Sequence, residues 1–151
     1  MIKSIAAGIV LSTVLAGSAF AETHEVLMLN RDDDGNRNVF EPAVIQIQPG
    51  DTVKWIPEDK GHNAQSIDGM APDGGTNIDG KLNQEIEVTF DTEGTYGYKC
   101  LPHYATGMVG LVLVGDASVN FEEAKAEKHR GQAAKRFEEY FAQAEEMMQT
   151  N

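Results

Sequence analysis

Thr95-Tyr96-Gly97-Tyr98-Lys99-Cys100-Leu101-Pro102-His103-Tyr104-Ala105-Thr106-Gly107-Met108 leads into Gly110-Leu111-Val112-Leu113-Val114. Both ends of this stretch are rich in aromatic, β-branched and aliphatic residues, so Thr95–Cys100 and Gly110–Val114 read as strands. Between them Pro102 stiffens a short loop and Gly107 permits the chain to turn back. Cys100 closes the first strand and Met108 opens the second, so the loop can curl round one point. It then presents a thiolate, an imidazole and a thioether together, the soft and borderline donors that copper prefers. Cu(I) favours sulfur, while imidazole suits either oxidation state. A second imidazole, His62 in Gly61-His62-Asn63, must arrive from a separate loop. Two His and one Cys with a weak axial Met are the ligand signature of a blue-copper electron-transfer site. His62, Cys100, His103 and Met108 are therefore the candidate metal residues.

Other chemistries use the same residue types. Cys100 and His103 could pair as nucleophile and base, but no glycine cluster for an oxyanion and no third orienting group stand nearby. Zinc takes Cys and His, but Met serves it poorly and a fourth hard ligand is missing. In the plainest alternative all four residues only pack, with Cys100 acting as a small hydrophobe. His24, at a strand start, and His129, placed on a helix, match no ligand position and are expected at the surface.

Outward from the loop, further short strands are expected at His24–Leu29, Val39–Gln48, Thr52–Ile56 and Glu85–Phe90. They are rich in β-branched and aromatic residues, and several alternate, as Ile86, Val88 and Phe90 do between Glu85, Glu87 and Thr89. Asp32-Asp33-Asp34-Gly35-Asn36, Pro49-Gly50-Asp51 and Asp91-Thr92-Glu93-Gly94 are turn clusters placed where hairpins would need them. Strands at this spacing predict an all-β sandwich or barrel. Residues 64–83 are polar and Gly-rich, an irregular connection with room for a short helix. Past Gly115 the period changes. Asn120 is a candidate N-cap for a helix reaching Lys128, with Glu122 and Glu123 in its first turn. Gln132–Gln149 then places Phe137, Tyr140, Phe141, Ala144 and Met148 on one helical face, expected to pack on the sandwich. Met147-Met148 point in different directions on a helix, which argues against a Met-rich metal box there.

The chain begins Met1-Ile2-Lys3, continues apolar from Ile5 to Leu15, and reaches Ala19-Phe20-Ala21. A basic start, an apolar middle and an A-x-A site describe a secretory signal peptide over residues 1–21, cleaved after Ala21. The apolar part is shorter than the ~20 residues a membrane span needs. Residues 22–116 form the expected sandwich and residues 117–151 the helical extension. One unpaired cysteine in an exported protein needs a reason to stay reduced, and metal ligation supplies one. The formal charge is −12, and loss of Lys3 with the leader makes it −13. That argues against nucleic acid and anionic membranes and for a basic protein face or a salty environment.

Taken together, the chain resembles the cupredoxins, the small type-1 copper proteins. Four segments carry the resemblance: Val39-Phe40-Glu41-Pro42-Ala43, Pro49-Gly50-Asp51-Thr52-Val53, Asp59-Lys60-Gly61-His62-Asn63 and residues 99–108. The Cys-x2-His-x4-Met spacing is shared with plastocyanins. Gly61-His62-Asn63 and the two C-terminal helices favour a helix-bearing branch of the family. The resemblance spans nearly all of residues 22–151. It implies an eight-stranded Greek-key β-sandwich plus two helices, with one type-1 copper ion near one end. His62, Cys100 and His103 would bind it strongly, Met108 would be the long axial ligand, and Asn63 would tie the two ligand loops together. His103 would expose its ring edge in an apolar patch with Pro102 and Ala105. The resemblance further implies a monomeric periplasmic electron carrier that performs no bond-making chemistry. Its acceptors would be a copper nitrite reductase or another denitrification enzyme, and its donors cytochrome c or a quinol-oxidising complex. A copper-delivery protein with no redox partner is the alternative, although such carriers use more open sites. Three departures stand out. Leu101 occupies a position where relatives carry Thr, which removes a side-chain bond to the Asn63 loop. Thr106 replaces a Met, making the patch more polar. Only Lys54, Lys60, Lys81, Lys99, Arg31 and Arg37 face 17 acids in the sandwich, where relatives often ring the patch with lysines.

Overall fold

Along Thr52–Ile56, Val53 and Trp55 are fully buried while their neighbours are partly exposed, the period-two pattern of a strand with one face on a core. The computed structural model describes residues 20–150, and eight strands run through them. They are β1 (Thr23–Arg31), β2 (Arg37–Glu41), β3 (Val44–Ile47), β4 (Thr52–Ile56), β5 (Gln65–Ser66), β6 (Ile86–Thr89), β7 (Gly94–Lys99) and β8 (Val109–Val114). One sheet runs β2-β1-β4-β6 and the other β3-β8-β7-β5, with parallel pairing of β1 to β4 and of β3 to β8. This is the expected eight-stranded Greek-key β-sandwich. The signal-peptide reading falls almost wholly on residues 1–19, outside the described residues. No helix among the described residues is long and apolar enough to cross a membrane.

Between the sheets lies a core of edge-on aromatics. Tyr98 meets Phe40 at 4.7 Å and Trp55 at 5.2 Å between ring centroids, and Phe90 meets Tyr96 at 4.9 Å. Such T-shaped contacts set the positive edge of one ring against the negative face of another. β8 is buried at all six positions. Val112 and Val114 face this core, whereas Val109, Leu111 and Leu113 face a second cluster with Phe121, Phe137, Phe141 and Ala144. Those last four come from α1 (Phe121–Ala126) and α2 (Gly131–Gln149). The helical stripe thus packs on the sandwich and leaves β8 no polar face, the pattern of a strand covered on both sides. At Gly110 a Cβ would strike the Tyr98 ring and stand 2.7 Å from the Ala43 carbonyl oxygen, so within this sheet the Tyr98 ring lies across its β8 partner only because that partner is a glycine.

Several details differ from the sequence reading. Val39–Gln48 is two strands in different sheets, because Pro42 has no N–H to offer a ladder and the chain crosses there. Of the three turn clusters only Asp32–Asn36 closes a hairpin, with Asp32 Oδ1 accepting from the Asn36 amide at 2.7 Å. The other two carry the chain between sheets. Residues 64–83 hold no helix but the two-residue β5 and a bridge between Gln65 and Asp79. Asn120 does not cap α1 with its side chain. It is buried and spans Thr95 instead, accepting from its amide at 2.7 Å and donating to its carbonyl at 2.9 Å. His129 lies in the linker between α1 and α2, half-buried, not on a helix. His24 is also half-buried, with Nε2 2.9 Å from Asp51 Oδ2.

Asp51 is itself buried and gathers the start of β1. The Glu22 amide donates to Oδ1 at 2.9 Å and the Gln48 amide to Oδ2 at 3.0 Å. These amides, Glu22 first, hold its carboxyl below the ordinary aspartate range, with His24 adding to them. A lowered folded-state value means that the stabilisation exists above the unfolded aspartate pKa and is lost as pH falls through the folded one. An Asp51→Asn variant is expected to flatten the acid limb of a stability-versus-pH curve followed by urea melts. An unchanged acid limb would show that Asp51 does not tie this edge.

Candidate metal centre

At one end of the sandwich three donor atoms converge. Cys100 Sγ lies 3.7 Å from His62 Nδ1 and 3.6 Å from His103 Nδ1, and the two nitrogens are 3.1 Å apart. His62 and Cys100 are fully buried, His103 is half-buried, and among the described residues these three form a group able to hold a metal ion. Met108, also fully buried, starts the strand side of the same loop, its carbonyl accepting from the Cys100 amide at 2.9 Å. The structure brings together the side-chain donors of His62, Cys100 and His103, and ties the Met108 backbone to Cys100 beside them.

Each donor is aimed by its surroundings. His62 Nε2–H donates to Asn30 Oδ1 at 2.9 Å, which leaves Nδ1 as a lone pair turned to the centre. Burial, with the His103 ring adding to it, pushes the His62 pKa down and keeps the imidazole neutral. Burial also raises the Cys100 thiol, opposed by the backbone amides of Asn63 and His103. Those amides stabilise a thiolate once a cation takes the proton's place. Asn63 is buried, accepts from the Leu101 amide at 2.8 Å through Oδ1, and donates to the Gly80 carbonyl at 3.0 Å. The expected tie between ligand loops therefore persists through the backbone although Leu101 has no hydroxyl. Thr106 turns its hydroxyl inward to the His103 carbonyl at 2.9 Å. No sequence pattern marks Asn30, because its partner stands 32 residues away.

The donor triangle fits a metal. A point equidistant from the three atoms lies about 2 Å from each, close to the bond lengths of about 2.0–2.3 Å that a zinc-sized ion makes to imidazole and thiolate. Two imidazole nitrogens and a thiol sulfur converging at these separations, on two fully buried residues and one half-buried one, suit a cation placed between them. Asn63→Ala would untie residues 61–63 from the Cys100 loop. Removing such an outer support lowers metal affinity by about 10–100-fold. Competition with a chelator would measure it, and an unchanged affinity would deny Asn63 that role.

The fold and this donor set define a copper protein of the cupredoxin class. A family model described as copper binding proteins, plastocyanin/azurin family, matches residues 26–115. A pseudoazurin of Methylorubrum extorquens is 45% identical over 143 residues, 95% of each chain. One from Paracoccus pantotrophus is 42% identical over 140 residues, 93% of this chain and 96% of that one. The solved pseudoazurin of Methylobacterium extorquens AM1 superposes with a TM-score of 0.77 at 48% identity, over 81% of this chain and 98% of that one. The chain belongs to the plastocyanin/azurin family, in its pseudoazurin branch. The helix-bearing branch indicated by Gly61-His62-Asn63 and the C-terminal helices is this one. Its cofactor is type-1 copper, and its class is blue-copper electron transfer.

Proposed function

We propose that this chain is a periplasmic, monomeric carrier of single electrons. In this reading His62, Cys100 and His103 would hold copper strongly, and Met108 would be the weak fourth donor. The observation that carries it is the buried His-Cys-His triangle with one edge, His103, reaching the surface. When bound, copper supplies one-electron chemistry between Cu(II) and Cu(I). The chain contributes rigidity. Asn30 holds His62, Asn63 holds both loops, and the closed burial of Cys100 keeps water away. Ligands that move little between oxidation states keep reorganisation small. Electrons pass through the His103 ring, beside exposed Leu101, Pro102 and Ala105, and Leu82 extends the apolar surface past Leu101.

The partners are redox proteins: a copper nitrite reductase or another denitrification enzyme as acceptor, cytochrome c or a quinol-oxidising complex as donor. An acidic carrier selects partners with a basic docking face. Reduced protein mixed with nitrite reductase is expected to be oxidised rapidly, at a rate that falls as salt screens the attraction. No oxidation by nitrite reductase would remove the denitrification assignment. No exchange with any redox protein, together with transfer of copper to an apo-acceptor, would make it a delivery protein.

A further inference from the structure

We propose that Arg136, on α2, is a positioning residue of the metal centre, fixing the peptide that aims the Met108 thioether. Its Nη1 donates to the Gly107 carbonyl at 2.8 Å and to the Asn38 carbonyl at 2.7 Å, and Nη2 donates to the Arg37 carbonyl at 2.8 Å. Hydrogen bonds from a charged donor are the stronger kind, and the planar fork fixes direction as well as distance. The Gly107 carbonyl and the Met108 amide belong to one peptide unit. That amide donates to the His103 carbonyl at 3.1 Å, so the unit is held from both sides. The Met108 carbonyl on the other side accepts from the Cys100 amide at 2.9 Å, so the peptides flanking Met108 are both held and the direction of its Cα–Cβ bond is set.

Packing says the same independently. Gly107 has φ of +91°, and a Cβ there would stand 3.0 Å from the Gln132 carbonyl oxygen and 3.1 Å from Arg136 Cδ. The helix backbone therefore rests directly on the loop, where a side chain would push it off. At the other end of the loop Tyr104 Oη meets His129 Nδ1 at 2.7 Å, so the helical extension grips the loop twice. Arg136 also carries the β2 start, through Arg37 and Asn38, into the same clamp. Here α2 forms a wall of the copper loop as well as a cover for β8. The axial ligand tunes the potential of a blue-copper site, so loosening this clamp changes the redox equilibrium.

The proposal rests on Met108 being the axial ligand, and the test separates the two. Copper-loaded wild type, Arg136→Met, Arg136→Lys and Met108→Gln are compared by visible spectrum and by equilibrium with a redox mediator. Met108→Gln is expected to change the spectrum; if it does not, the ligand reading fails, whatever Arg136 does. Arg136→Met is expected to shift the reduction equilibrium at least three-fold, about 28 mV for one electron, and to alter the ratio of the visible bands. Arg136→Lys keeps the charge but not the fork, and is expected to shift in the same direction by less. It also serves if the Met variant folds poorly. An unchanged spectrum and equilibrium in both Arg136 variants would overturn the proposal. Full restoration by Lys would overturn it too, because charge rather than positioning would then be the cause.

Discussion

A Cys100→Ser variant is expected to lose the intense visible band of its copper form and to bind copper at least ~100-fold more weakly. Loss of outer-shell support alone weakens metal sites by about 10–100-fold, so loss of a thiolate ligand sets at least the upper end of that range. Serine replaces sulfur with a harder oxygen that stays protonated, and Cu(I) gains little from it. The substitution is nearly isosteric at a fully buried position, so the fold is expected to survive it at a cost of about 1–3 kcal/mol. Spectral titration with Cu(II) and chelator competition measure both effects. Retained colour in this variant would place copper elsewhere.

Phe141→Ala is expected to lower stability by about 3–5 kcal/mol, the usual range for emptying a buried aromatic site. Phe141 is 3% exposed and sits between Phe121 at 5.3 Å and Phe137 at 6.0 Å, joining α1 to α2 over β8. In a chain of this size the melting temperature should fall by roughly 10–20 °C. The donor atoms stand on sandwich loops, so the visible band should persist below the new midpoint. A loss under ~1 kcal/mol would mean that the helices cover β8 loosely.

Legibility followed the range of each interaction. Thr52–Ile56 was read with its true ends because alternation is local. Val39–Gln48 reads as one strand because apolar residues continue on both sides of Pro42, and only pairing partners reveal the change of sheet. Two-residue β5 is too short for any period to register. Cys100, His103 and Met108 fall within nine residues, and a glycine–histidine–asparagine run marks His62, so the donor set was visible at once. Its supports were not. Asn30 and Arg136 reach the site across 32 and 29 residues, through hydrogen bonds that leave no pattern in the chain. His129 fell outside the helices because Gly131, at φ +59°, opens α2 two residues later.

The most direct test of the metal centre is a titration of the processed protein with Cu(II), followed in the visible range. One equivalent should produce an intense thiolate-to-copper band that disappears on one-electron reduction and returns on oxidation. A protein that stays colourless, or that colours only beyond one equivalent, would contradict a single buried site built on His62, Cys100, His103 and Met108.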